Sequence, residues 1–143
     1  MPRFGEKSLR EIRTIDSRLN RILYKAIEKI DFSVIEGHRS LDRQKELFEK
    51  GFSKVSVGKH NKYPSMAVDI RPYPYNESEK DLKQFYVLIG YMKAIADLMD
   101  IKIRSGSDWN RDNDIRNDPF QDCYHFEIDE WKHIKVQNSG LEL

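Results

Sequence analysis

Residues 78–100, SEKDLKQFYVLIGYMKAIADLMD, restrict the fold more than any other stretch of the chain. Leu82, Phe85, Tyr86, Ile89, Met92, Ala96 and Met99 recur at helical spacing and give one helix a broad apolar stripe. A stripe of that width has to be covered by neighbouring elements. A second helical pattern runs over 8–30 through Leu9, Ile12, Ile15, Leu19, Ile22, Leu23, Ala26, Ile27 and Ile30. Ser8 and Glu11 are spaced as a capping box, and Thr14 or Asp16 offers a second cap, so a break is expected there. SLDRQKELFEKG, 40–51, predicts a short helix with Ser40 as cap and Gly51 past its end. Between these lie four short strand patterns, at 32–37, 66–73, 101–106 and 123–128, with loops at 52–65 and 107–122. No regular strand–helix–strand repeat is present. The expected fold is α+β, a small antiparallel sheet flanked by helices.

With 143 residues and no linker-like stretch, one domain spanning 1–143 is expected. That length supports a core without metal or disulfide staples, so a metal would serve function rather than folding. The 25 Lys and Arg nearly cancel the 24 Asp and Glu, leaving +1. That gives no bulk electrostatic case for nucleic acid or an anionic membrane. Cys123 is the single cysteine, which excludes an intrachain disulfide. MPRFGEKSLREIRTID lacks the apolar core of a signal peptide, and no run reaches membrane-spanning length. Synthesis in the cytosol, no stable membrane insertion and a monomeric state are expected.

GKHNKYPSMAVDIRPYP, 58–74, places Asp69 inside an apolar strand, nine residues after a histidine in a polar, exposed-looking loop. A buried carboxylate needs a compensating charge or a metal. One reading is a salt bridge to Arg39, Arg71 or Arg104. The other is a metal ligand, with His60 and His125 as partners. Each histidine alone reads as a surface or core side chain. Together, two imidazoles and a carboxylate suit zinc with a fourth position open, as in catalytic sites.

Asp122 lies three residues before His125, at a turn into the last strand, where a non-ligand carboxylate could act as general base. Its bland reading is a strand cap. Glu127 and Cys123 share the His125 face of an ideal strand. Glu127 could orient His125 or rival Asp122, and Cys123 is a weak candidate ligand. In GHRSLDRQ, 37–44, Arg39 stands at a strand–helix junction and Gln44 about one turn on. Arg39 could hold a substrate carboxylate or an oxyanion, or simply pair with Asp42 or Glu46. The loop SDWNRDND carries Asp108, Asp112 and Asp114 with Asn110 and Asn113, oxygen donors for a Ca2+ site at 108–114 or a plain solvated loop.

The order GHRS…Q, KHNKYPSMAVDIRPYP, SGSDWN, DCYHFEI resembles the L-alanyl-D-glutamate peptidases of bacteriophage endolysins. These are related to D-alanyl-D-alanine carboxypeptidases and dipeptidases and more distantly similar to the hedgehog signalling domain. The resemblance covers roughly residues 5–128. It implies Zn2+, one per chain, on His60, Asp69 and His125, with Asp122 as general base and Arg39 in substrate or transition-state binding. Gln44, Glu127 and Asp108 fall to substrate binding or support of the site. It also implies an α+β sheet that carries the zinc, and peptidoglycan stem peptide as substrate. It further implies release to the cell wall after a separate protein permeabilises the membrane, without a dedicated wall-binding domain. The chain departs from many relatives in its longer His60–Asp69 gap, with Tyr63-Pro64-Ser65 inside it. Gly58 stands where they carry serine, with Ser56 further back. Asp108-Trp109 recurs in relatives, which suggests a structural place under the site.

Three other functions stay open on the sequence. One is D-alanyl-D-alanine carboxypeptidase or dipeptidase action with the same machinery. Another is a non-catalytic zinc-containing binding domain, against which the presence of Asp122 argues. The third is a metal-dependent nuclease, prompted by His60-Asn61 and weakened by the near-neutral charge.

Overall fold

The computed structural model describes residues 1–55, 57–118 and 121–130. Ser56, and the part of the one-domain expectation that concerns residues 131–143, lie outside them. The elements run α1 (Glu6–Ile12), α2 (Ser17–Ile27), β1 (Phe32–Glu36), α3 (Leu41–Glu49), β2 (Ala67–Pro72), α4 (Glu79–Leu98), β3 (Ile103–Ser105) and β4 (His125–Ile128). Single 3-10 turns stand at Lys59–Asn61 and Ile115–Asn117. The expected break between α1 and α2 is present, and Asp16 caps α2 by accepting the Arg18 N–H at 2.9 Å. Ser40 caps α3 as expected, through the Arg43 N–H.

The Ser8–Glu11 capping box does not form. The helix starts earlier, with Gly5 at its N-cap, which moves both side chains into the helix body. There they join α1 to β1. Buried Ser8 accepts the Val34 N–H and Glu11 accepts the Gly37 N–H, each at 3.0 Å. The stripe of α4 is also rotated from the expected one. Phe85, Leu88, Ile89, Met92, Ile95 and Ala96 are buried, whereas Leu82 and Tyr86 lie at its exposed edge. The first half of the helix therefore turns a narrower face to α2 and β2 than its composition suggested.

The strands form one antiparallel sheet in the order β1-β2-β4-β3. Alternation of side chains divides it into two faces. Val34, Val68, Ile70, Phe126 and Ile128 belong to the apolar core with α1, α2 and α4. On the other face Asp69 stands opposite His125, Ala67 opposite Glu127, and Arg104 opposite Glu127. A bulge in β1 between Val34 and Glu36 sets Glu36 opposite Asp69. The extra residue shifts the alternation by one, so Glu36 joins the polar face.

β4 begins at His125, two residues later than the sequence pattern suggested. Asp122 donates its N–H to Gly106 O at 2.7 Å, and His125 donates to Asp122 O at 3.2 Å. This turn uses the backbone groups that an earlier strand start would need. It depends on Gly106, because a Cβ there would lie 2.3 Å from Asp122 O and 3.0 Å from His125 Cβ.

Candidate metal centre and active site

His60 sits in the 3-10 turn after the α3 loop, Asp69 in β2 and His125 at the start of β4. His60 is only 4% exposed, so the exposed position expected from its polar neighbours is wrong. Its ring is drawn inward by the Gly37 carbonyl, which lies 2.6 Å from Nδ1. That contact makes Nδ1 the donor and leaves the Nε2 lone pair 3.2 Å from Asp69 Oδ1. His125 is held the other way round. Its Nε2 lies 2.9 Å from Glu127 Oε1, and its Nδ1 lies 3.3 Å from Asp69 Oδ1. Two lone pairs and a carboxylate oxygen thus converge, all within 4.8 Å of one another.

Bonds of 2.0–2.1 Å at a tetrahedral centre separate neighbouring ligand atoms by roughly 3.3–3.4 Å. The two contacts to Asp69 match that spacing. Among the described residues this is the one group of three or more His, Cys, Asp or Glu side chains arranged to share a metal. The outer nitrogens of both rings are fixed, as ligating histidines require.

Without a cation between them these groups shift one another's protonation. Burial alone would lower the His125 pKa, but hydrogen bonds to Asp69 and Glu127 outweigh it and push the ring up to about 9. Burial would raise Glu127, but His125, Lys59 and Arg104 pull it down to about 2. Asp69 is likewise held well below the usual carboxylate range by His125 and His60, against its burial.

Arg39 provides the salt bridge foreseen for Asp69, with Nη2 3.4 Å from Oδ2. Arg39 Nε donates to Glu36 Oε1 at 2.9 Å, and Nη1 donates to Gln44 Oε1 at 2.8 Å. Neither Asp42 nor Glu46 is its partner, because the bulge in β1 brings Glu36 closer. Gln44 is buried within α3, and its Nε2 donates to Ser53 Oγ and Val55 O. It holds Arg39 and the following loop together. Arg71, the second candidate partner of Asp69, lies over Tyr75 instead. Arg104, the third, pairs with Glu127 at 2.9 Å and covers the Trp109 ring.

These side chains line a cleft of about 450 Å³ that also contains Asp122. Burial and the neighbouring Asp69 charge push the Asp122 carboxyl upward. Cys123 lies in the turn before β4, packed against the core, and takes no part in the cluster.

Asp108 is buried, next in sequence to Trp109 of the cleft wall. It pairs with Lys93 at 2.8 Å and accepts the N–H groups of Asp112 and Asn113. Asp112 accepts from Asn117, and Asp114 from Arg116. The loop's carboxylates are therefore engaged by Lys93 of α4, by Arg116 and by amides of the loop itself. A Ca2+ ion at 108–114 finds no support, and the structural place of Asp108 fits its contacts. Glu36, Lys59 and Arg104 are site-face residues that the sequence pattern did not single out as functional. For Arg104 the alternation Ile103-Arg104-Ser105 was the available signal.

The family model for phage L-alanyl-D-glutamate peptidase matches residues 1–128. The chain belongs to this family. The L-alanyl-D-glutamate peptidase of Escherichia phage T5 is 24% identical over 120 residues, covering 81% of this chain and 88% of that one. The crystal structure of the Serratia marcescens L-Ala D-Glu endopeptidase ChiX superposes with a TM-score of 0.72 at 22% identity, covering 92% of this chain and 93% of that one. VanYB in complex with D-alanine-D-alanine gives a TM-score of 0.51 at 14% identity, over 89% and 78%. The two structures show a shared fold, and the α+β sheet is that fold. In this phage L-alanyl-D-glutamate peptidase family member, a peptidase by membership, the cleft and its metal-ready face form the candidate active site.

Proposed function

We propose that the protein is a zinc-dependent peptidoglycan endopeptidase, an endolysin that cuts the stem peptide between L-alanine and D-glutamate. Convergence of the His60, Asp69 and His125 donor atoms inside the cleft of a family peptidase carries this reading. Zinc on these three residues would supply a Lewis acid that polarises the scissile carbonyl and acidifies a water at its open position. Asp122 accepts a proton from the attacking water and delivers it to the departing D-glutamyl nitrogen. Its raised pKa suits both halves of that transfer. Arg39, fixed by Glu36 and Gln44, steadies negative charge developing on the carbonyl oxygen. Glu127 holds the His125 tautomer. The enzyme works at the cell wall, which it reaches when another protein permeabilises the membrane. Among the described residues no helix is long and apolar enough to cross one.

Mass spectrometry of muropeptides incubated with the zinc-loaded protein tests the bond. Stem peptides with a new D-glutamyl amino terminus are expected. Loss of terminal D-alanine alone would refute the bond and keep the machinery. Replacing Asp122 by Ala should lower the rate about 10²–10⁴-fold with zinc still bound one per chain. Near-full activity in that variant would remove Asp122 from the mechanism.

A further inference from the structure

The cleft is unevenly charged and unevenly apolar. Around Asp69, the single Arg39 guanidinium faces two carboxylates, Glu36 and Asp69. On the opposite side, beside His125, the single Glu127 carboxylate is shared by two cations, Lys59 at 3.3 Å and Arg104 at 2.9 Å. Those two cations outnumber Glu127 there, with Asp122 as the other cleft carboxylate near His125. Lys59 also donates to the Ile128 carbonyl. Arg104 is less fully engaged. Its Nη2 binds Glu127, its plane covers Trp109 at 4.9 Å, and its buried Nε has no hydrogen-bond acceptor among the described residues. A third part of the cleft wall is apolar. Phe52, Val55 and Val57 line it while being 77%, 50% and 66% exposed, and Gln44 pins Val55 through its carbonyl.

The substrate under the reading above has the same division. A D-glutamyl residue has two carboxyl groups, and the peptide continues through only one. The other stays on the leaving half as a free carboxylate, or as its amide where it has been modified. The acyl half is uncharged: an L-alanine methyl and, in the wall, the lactyl ether and sugar ring attached to its nitrogen. We propose that the stem peptide lies across the His60, Asp69 and His125 cluster in one direction. Its D-glutamyl carboxylate rests on Arg104, and its alanyl-muramoyl half lies against Phe52, Val55 and Val57. A guanidinium stacked on an aromatic ring is a planar, pre-organised carboxylate receptor. An exposed phenyl ring beside valines suits the C–H face of a sugar and small methyl groups. Arg104 is thus a specificity-determining residue, and the wall of Phe52, Val55 and Val57 is the acyl subsite. This inference rests on the bond assignment given under Proposed function.

Kinetics on paired substrates test it. Muramoyl-L-alanyl-D-glutamyl peptides are compared with the same peptides amidated at the free carboxyl, and with peptides lacking the sugar. The wild-type protein should prefer the free carboxylate. Arg104→Met should erase that preference, with kcat/KM falling about tenfold or more on the acid and little on the amide, and Arg104→Lys should restore part of it. Phe52→Ala should lower kcat/KM more on the muramoyl peptide than on the sugar-free one. A uniform loss across all substrates in both variants would mark merely structural roles and overturn the orientation. If the wild-type protein releases no D-glutamyl amino terminus from any of them, the bond assignment falls and this orientation with it.

Discussion

His60 and His125 face the same carboxylate oxygen through different ring nitrogens, and each is locked by a partner of different strength. The Gly37 carbonyl that holds His60 is neutral, whereas the Glu127 that holds His125 is charged. His125 therefore becomes the residue on which proton and metal compete. In metal-free protein its pKa is raised from 6.5 to about 9, so its stabilising contribution is complete below 6.5 and is lost as the pH rises through 9. Glu127 is depressed from 4.5 to about 2, so its contribution is complete above 4.5 and is lost as the pH falls toward 2. Asp69 is shifted in the same direction as Glu127. Thermal unfolding in the presence of a chelator should therefore give the highest Tm between about pH 4.5 and 6.5. Zinc should raise Tm by more as the pH increases from 6 toward 9, because less of the binding energy goes to displacing the His125 proton. A metal-free Tm that peaks above pH 9 would contradict this coupling.

At the scale of elements, α1 is joined to the sheet by side chains that its sequence pattern assigned to capping. Ser8→Ala leaves the buried Val34 N–H without its acceptor and should cost about 1–3 kcal/mol, measured by urea unfolding, with zinc affinity unchanged. The same case shows why some of the structure was legible and some not. Helix and strand existence follows from periodicity, and the break at Asp16 and the cap at Ser40 follow from local side-chain chemistry. A capping spacing such as Ser8–Glu11 is ambiguous, because a serine buried against another element satisfies a donor just as well. The start of β4 depended on Gly106 lying against Asp122, a contact between distant residues that no local pattern reports. Asp69 and His125 were readable as polar residues in apolar strands, whereas His60 stood in a polar loop and read as exposed. Residue chemistry offered them as a zinc set beside the salt-bridge reading, and the family resemblance chose between the two. Glu36 was not readable, since a bulge in β1 decides which face it joins.

Across the whole molecule, one thin sheet separates folding from chemistry. Its helix-covered face contributes Val34, Val68, Ile70, Phe126 and Ile128 to the core, and its open face carries Asp69, Arg104, His125 and Glu127. Two neighbouring residues of one strand are thus subject to different selective demands. A saturation library scored twice, once for soluble yield in cells and once for lysis of cell walls, should show this directly. Along 67–70 and 125–128 sensitivity should alternate residue by residue. Val68, Ile70, Phe126 and Ile128 should lose yield and lysis together. Asp69 and His125 should lose lysis while retaining most of their yield. A sheet with this construction lets its catalytic face be rewritten at little risk to expression, so new wall chemistries can be selected on it without first rebuilding the scaffold.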